Sequence, residues 1–269
     1  MNVRKARLAG LGVLTAAIAA VGGCDIADSA NEAADPTKPA ATPAPRDALL
    51  NALPDAKTGS FRFTIEGGEV ATAGEIDAAG HSYRVGFRFR EPDAGFTLLS
   101  DYLVVEKQAW TKIRFTGAEG LTGLPRLPKK WMLLDPAKVK NKDVPLAYAN
   151  ETDPGEAGEL LRAAVDVQQP TPGHFTGTTD LTQLNDEDVA DAARLKALGE
   201  KAKAVPFEAT VDSEGRLTST VVRIPAAGKI KASRYAITYA DFGKVPSPAA
   251  PKADQQQPAT KSAYDLLNA

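Results

Sequence analysis

The chain has 269 residues, 43% of them hydrophobic and 25% charged, which supplies the core of one domain and excludes a chain disordered throughout. With 32 Lys plus Arg against 34 Asp plus Glu the formal net charge is −2. The sequence has no basic stripe, which argues against a nucleic-acid partner and against electrostatic docking on anionic lipid.

The first residues carry Arg4, Lys5 and Arg7, and the run Leu8 to Val21 is uncharged and rich in Ala, Leu, Val and Ile. A basic start followed by a short apolar run has the layout of a secretory signal, and it is too short to span a bilayer with ease. It ends in Val21-Gly22-Gly23-Cys24, an apolar residue, two small residues and the only cysteine of the chain, and this resembles the bacterial lipobox. The expectation is a lipoprotein signal over 1–23, cleaved before Cys24, whose thiol takes a diacylglyceryl group. Two acyl chains hold a protein stably where one does not, so Cys24 alone would anchor it to the membrane on the extracytoplasmic face. Cleavage removes the three signal cations and leaves 29 against 34, a net −5.

Residues 24–46, rich in Ala, Pro, Asp and Thr, have almost no large apolar side chains to offset ordering entropy and read as a disordered tether. The domain proper is expected over 47–243. In Ser60 to Gly68, Phe61, Phe63 and Ile65 alternate with Arg62, Thr64 and Glu66; in His81 to Glu91, Tyr83, Val85, Phe87 and Phe89 alternate with Arg84, Gly86, Arg88 and Arg90. Period-two alternation predicts strands with one apolar face. Further strands are expected over 98–106 and 110–115, with turns at Gly67-Gly68, Ala78-Ala79-Gly80, Pro92-Asp93 and Lys107-Gln108.

Residues 126–152 read as irregular. Asp153-Pro154 then predicts a helix whose apolar stripe is Ala157, Leu160, Leu161, Ala164 and Val165. A strand over 174–181 and a helix over 186–203, with Val189, Ala192, Ala193 and Leu195 as its stripe, come next. Strands over 205–211, 217–224 and 230–239 close the domain, the first two joined by a tight turn at Asp212 to Gly215. Residues 244–269 read as a disordered Pro, Ala and Gln tail, with Tyr264, Leu266 and Leu267 at a frayed end. The fold class is α+β: a large curved antiparallel sheet with helices packed on its concave face.

Reactive chemistry is sparse. His81 and His174 lie far apart with no second His or Cys at metal-ligand spacing. No Gly-rich loop opens a helix, and no G-x-S-x-G elbow occurs. No catalytic residue, cofactor or metal is expected, and the protein reads as a non-enzyme. Trp110 and Trp131 read as packing residues, and Arg84, Arg88 and Arg90 as a solvated strand face.

The order of lipobox, tether, amphipathic meander, Trp-bearing strand (Ala109 to Ile113), Trp131-Met132-Leu133-Leu134-Asp135-Pro136, helix, the strand Thr176 to Leu181 and the closing Val205 to Pro225 is similar to the actinobacterial lipoproteins of the LppX/LprG type, in the LolA/LolB-like superfamily. The resemblance covers roughly 47–242 and implies a half-open antiparallel barrel with helices in its hollow. It further implies a lipid, glycolipid or other hydrophobic ligand bound there, as by a carrier or chaperone. Candidate lining residues are Phe61, Phe63, Ile65, Tyr83, Val85, Phe87 and Phe89 facing Leu160 and Leu161. The alternative is an envelope sensor or protein-interaction module with the same fold and no lipid cargo.

Overall fold

Alternation in Ser60–Glu66 does what it predicts: Phe61, Phe63 and Ile65 are buried and the residues between them exposed. This strand belongs to a computed structural model that describes residues 43–68, 70–184 and 189–269. The signal segment, Cys24 and nearly all of the tether lie outside the described residues, as do positions 186–188 of the second expected helix. The described chain is α+β, with one mixed sheet of twelve strands that does not close on itself.

The first half is a meander. Helix α1 (Pro45–Asn51) leads into β1 (Ser60–Glu66), β2 (Ala71–Asp77), β3 (Ser82–Glu91), β4 (Phe96–Val105), β5 (Gln108–Thr116) and the short β6 (Trp131–Leu133), each paired antiparallel with the strand before it. The second half follows α2 (Ala157–Arg162) and is another meander, of β7 (Ala164–Thr171), β8 (His174–Thr179), β9 (Val205–Val211), β10 (Leu217–Ile224) and β11 (Ser233–Ala240), with α3 (Ala192–Leu198) between β8 and β9. The seam between the halves is the antiparallel pair of β1 and β11, with Phe63 opposite Tyr239 and Ile65 opposite Ile237.

Directly opposed residues of antiparallel strands share a face. One row runs across nine strands: Phe175, Ala209, Thr220, Ile237, Ile65, Thr72, Phe87, Ser100 and Ile113. The neighbouring row is Tyr239, Phe63, Gly74, Val85, Tyr102, Thr111 and Met132. These rows form the apolar face and contribute Phe63, Ile65, Val85, Tyr102, Ile237 and Tyr239 among others to the buried cluster. Gly74 is required there: a Cβ would lie 2.4 Å from the Arg84 carbonyl oxygen and 2.7 Å from the Phe63 ring. Small residues in β2 thus make room for the phenyl rings of β1, which is why β2 shows no apolar alternation and escaped the sequence reading.

Other expectations need correction. The helix expected from Asp153 starts at Ala157 and ends at Arg162; Ala164 and Val165 belong to β7, and Val165 is 66% exposed. Val165 and Val167 are β-branched and suit a strand, and Pro170 denies the helix a continuation. Asp153 still accepts the backbone N–H groups of Ala157 and Gly158, at 3.1 and 2.7 Å. Among the described residues the second helix is α-helical over Ala192–Leu198, where Gly199 at φ 54° turns it into a 3-10 segment; its buried residue is Leu198, while Ala192 and Ala193 are exposed. The last strand begins at Ser233 rather than Ile230, and helix α1 opens at Pro45, inside the expected tether. The Asp212 turn forms as expected: its carboxylate accepts from Glu214 N and Arg216 N, and Gly215 has φ +80°.

The largest correction concerns 244–269. These residues are folded, not a disordered tail. After β11 the chain crosses the face opposite the apolar one as a strap: Ser247 donates to the Asp77 carboxylate, and Gln256 accepts the Trp110 indole N–H at 2.7 Å. β12 (Gln256–Pro258) then pairs parallel with β6, so the sheet is mixed and not wholly antiparallel. Helix α4 (Lys261–Leu267) buries Ala263, Tyr264 and Leu267 in the main apolar cluster. Thr260 caps it, and the Tyr264 hydroxyl accepts from Asp135 N at 2.8 Å. A Pro-rich composition signalled disorder, but proline suits a strap that makes few ladder bonds, and two tyrosine- and leucine-bearing turns suffice to seat its end.

Candidate ligand-binding face

Eight of the nine candidate lining residues converge. Phe61, Phe63, Ile65, Val85, Leu160 and Leu161 are buried in a single cluster, with Tyr83 and Phe87 half-buried against it. Leu160 is fixed by its carbonyl, which accepts the buried Thr179 hydroxyl at 2.7 Å. Phe61 meets Tyr239 edge-on at 5.8 Å, and Phe87 meets Tyr102 edge-on at 5.9 Å. Eight of the nine therefore pack as core, against one another and their neighbours, where the sequence reading expected them to line a hollow.

Phe89 differs. It is half-buried and stands outside that cluster, in register with Leu98 and Phe115 at the tips of β3, β4 and β5. Phe96 packs edge-on against Phe115 at 5.7 Å. The apolar face thus continues past its own packed core to an aromatic end that is only partly covered.

Sequence reasoning missed the polar group laid over the other end. Tyr148 stacks on His81 at 5.4 Å, lies 6.3 Å from Tyr83, and donates its hydroxyl to the Glu151 carbonyl at 3.3 Å. Burial, and after it the Asp153 charge, raises the Glu151 carboxyl above its ordinary value. Burial, then Glu151, raises Tyr83; burial, then Asp153, raises Tyr239 well above its ordinary value, and Tyr239 donates to the Asp153 carboxylate. The Tyr239 bond to Asp153 and the bond from Tyr148 N to the Glu106 carbonyl at 2.8 Å clasp the 148–153 segment to the sheet. No periodicity in Ala149 to Asp153 announces it. Thr220, in the middle of the apolar face, buries a hydroxyl without a hydrogen-bond partner among the described residues.

The opposite face has its own order. Arg62, Glu75, Arg84, Leu103, Trp110 and Leu133 form one row; Ala71, Arg88, Leu99 and Arg114 form another. Between them runs the small-residue row Thr64, Ala73 and Gly86, the floor of an open trough of about 500 Å³. Asp101 pairs with Arg114 at 2.9 Å and with Arg84 at 4.0 Å. Arg84 and Lys112 flank the Trp131 ring at 5.7 and 4.7 Å from its centroid. The strap covers the far end of this face, where Leu103 and Trp110 are buried.

His81 and His174 stand six strands apart in the sheet, and among the described residues no three His, Cys, Asp or Glu side chains converge as a metal site. No family model matches the chain, and no curated protein matches it.

Proposed function

We propose that the chain is a cell-envelope lipoprotein, anchored by an acylated Cys24 on the extracytoplasmic face of the membrane, that binds a lipid or other hydrophobic ligand as carrier or chaperone and is not an enzyme. The observation that carries this reading is the apolar face continuous over nine strands of an unclosed sheet, whose aromatic end at Phe89, Leu98 and Phe115 is only half covered. A sheet of this width curls. In this reading it forms a half-open barrel with α2 in its concavity and its mouth at the tips of β3 to β5. An acyl chain entering there displaces water from phenyl rings, and each buried CH2 contributes about 0.8 kcal/mol. Room deeper in comes from outward movement of α2, a helix of only 6 residues.

Organic extraction and mass spectrometry of the Cys24→Ala protein, purified from a bacterial host of similar envelope, tests the reading. Stoichiometric co-purified lipid is expected; a protein that comes out empty and also refuses added lipid overturns it. One observation favours the second reading, an envelope sensor or protein-interaction module: the candidate lining residues already fill the space between sheet and α2 with their own side chains. An empty protein that captures an envelope protein stably is the outcome expected from that reading.

A further inference from the structure

We infer that the cationic face at the tips of β3 to β5 docks the protein on a bilayer surface rich in anionic phospholipid headgroups. In sequence these cations are scattered over thirty positions and make no basic run; antiparallel register gathers them. The outward positions of the three strands present Arg84, Arg88, Arg90, Lys112 and Arg114 against Asp101, with Glu75 of β2 in register beside Arg84 and Glu91 and Asp93 at the β3–β4 turn. Asp101 is shared by Arg84 and Arg114, so it neutralises one charge of two. Arg88 and Arg90 are exposed and have no ion pair among the described residues. Such a surplus on a chain of net negative charge is a local field, not an average of composition.

Three further features select a bilayer over an acidic protein. The face carries an open trough floored by Thr64, Ala73 and Gly86, whose small side chains give a protein partner little to anchor on. Trp131 on this face lies flanked by two cations, an amphipathic ring suited to the headgroup level. The strap leaves this end of the face bare while covering the other. An acyl anchor would hold the face near the membrane at high effective concentration, so several weak headgroup contacts suffice. The same strand tips carry Phe89, Leu98 and Phe115 on their reverse side, and docking would bring that half-covered end to the lipid; this last point rests on the carrier reading.

The test is co-sedimentation of the unacylated full mature chain, Cys24→Ser, with vesicles of phosphatidylcholine alone or with about one third phosphatidylglycerol. Binding to the anionic vesicles only, weakening as salt rises, is expected. R88E with R90E should lower the partition coefficient at least about tenfold, since each cation at such a surface contributes severalfold. R88K with R90K should retain it, and so should the distant reversal K196E with K201E, which changes net charge equally. Equal binding to both vesicles, indifference to R88E/R90E, or equal weakening by K196E/K201E overturns the inference. So does binding to soluble polyglutamate but not to vesicles, which assigns the face to an acidic protein. Lipid extracted from protein that has never met vesicles reports on the carrier reading separately, so either idea can fail alone.

Discussion

The indole N–H of Trp110 donates to the side-chain carbonyl of Gln256 at 2.7 Å, across 146 positions of chain. Trp110 is buried and this is the partner of its one donor. Gln256 is held in turn by the Pro251 carbonyl, which accepts its side-chain NH2 at 2.6 Å. Gln256→Ala leaves a buried donor unpaired and should cost about 1–3 kcal/mol in urea unfolding. The tryptophan emission of the variant should shift to the red, which Gln256→Glu, keeping an acceptor, should not reproduce in full.

Asp153 ties the start of α2 to β11 by accepting two backbone N–H groups and the Tyr239 hydroxyl. Asp153→Ala removes all three acceptors at once, and about 2–4 kcal/mol of stability should go with them. Tyr239→Phe, which deletes donor and hydroxyl together, should cost less than half as much. Equal losses would show that capping of α2 contributes nothing.

The raised Glu151 carboxyl gives a stability effect with a defined sign. Its proton is held more tightly in the folded than in the unfolded chain, so the buried charge destabilises above the folded value and costs nothing below the unfolded one. Glu151→Gln should therefore melt above the parent at about pH 7.5, with the difference fading towards about pH 4 as the parent carboxyl takes its proton. A pH-independent difference would remove titration of this group as the cause.

Phe61 and Phe89 separate core from mouth. Phe61→Ala opens a hole in the packed cluster and should cost about 3–5 kcal/mol. Phe89→Ala, at the half-covered tips, should cost about 1 kcal/mol or less, yet slow uptake of a fluorescent fatty acid if ligand enters there. Unchanged uptake would move the entry away from β3 to β5.

Thr220 buries a hydroxyl without a partner among the described residues, between Ala209 and Ile237. Thr220→Val keeps the shape and should raise stability by about 1 kcal/mol, measured by urea unfolding. A loss of stability would mean that the hydroxyl has a partner in solution.

Much of the sheet was readable because alternation and burial coincide: Phe61, Phe63 and Ile65 in β1 and Val85 and Phe87 in β3 point where period two places them. β9 and β10 start and stop where the Asp212 turn predicts. What stayed hidden had physical reasons. β2 is built of small residues so that β1 can be built of large ones. β7 carries Val165 in the open, so its apolar residues mimic a helix stripe. The strap and α4 are fixed by long-range contacts, Trp110 to Gln256 and Asp135 to Tyr264, which no local pattern encodes. For the candidate site, the apolar residues were legible as a set, whereas their role as filled core, the Glu151 clasp and the arginine field all depend on which strands become neighbours.

The seam between β1 and β11 sets the order in which such a sheet can assemble. Within each meander every strand pairs with the next along the chain, so both halves rest on closures more local than the seam and can form early and independently. Joining them requires β1 to find β11 from the far end of the second half, and β12 to find β6 after that. The chain should therefore refold in at least two kinetic phases, the slower one reporting the meeting of Phe63 with Tyr239. Until that step each half exposes a further raw strand edge, that of β1 and that of β11, and the protein is most open to aggregation there.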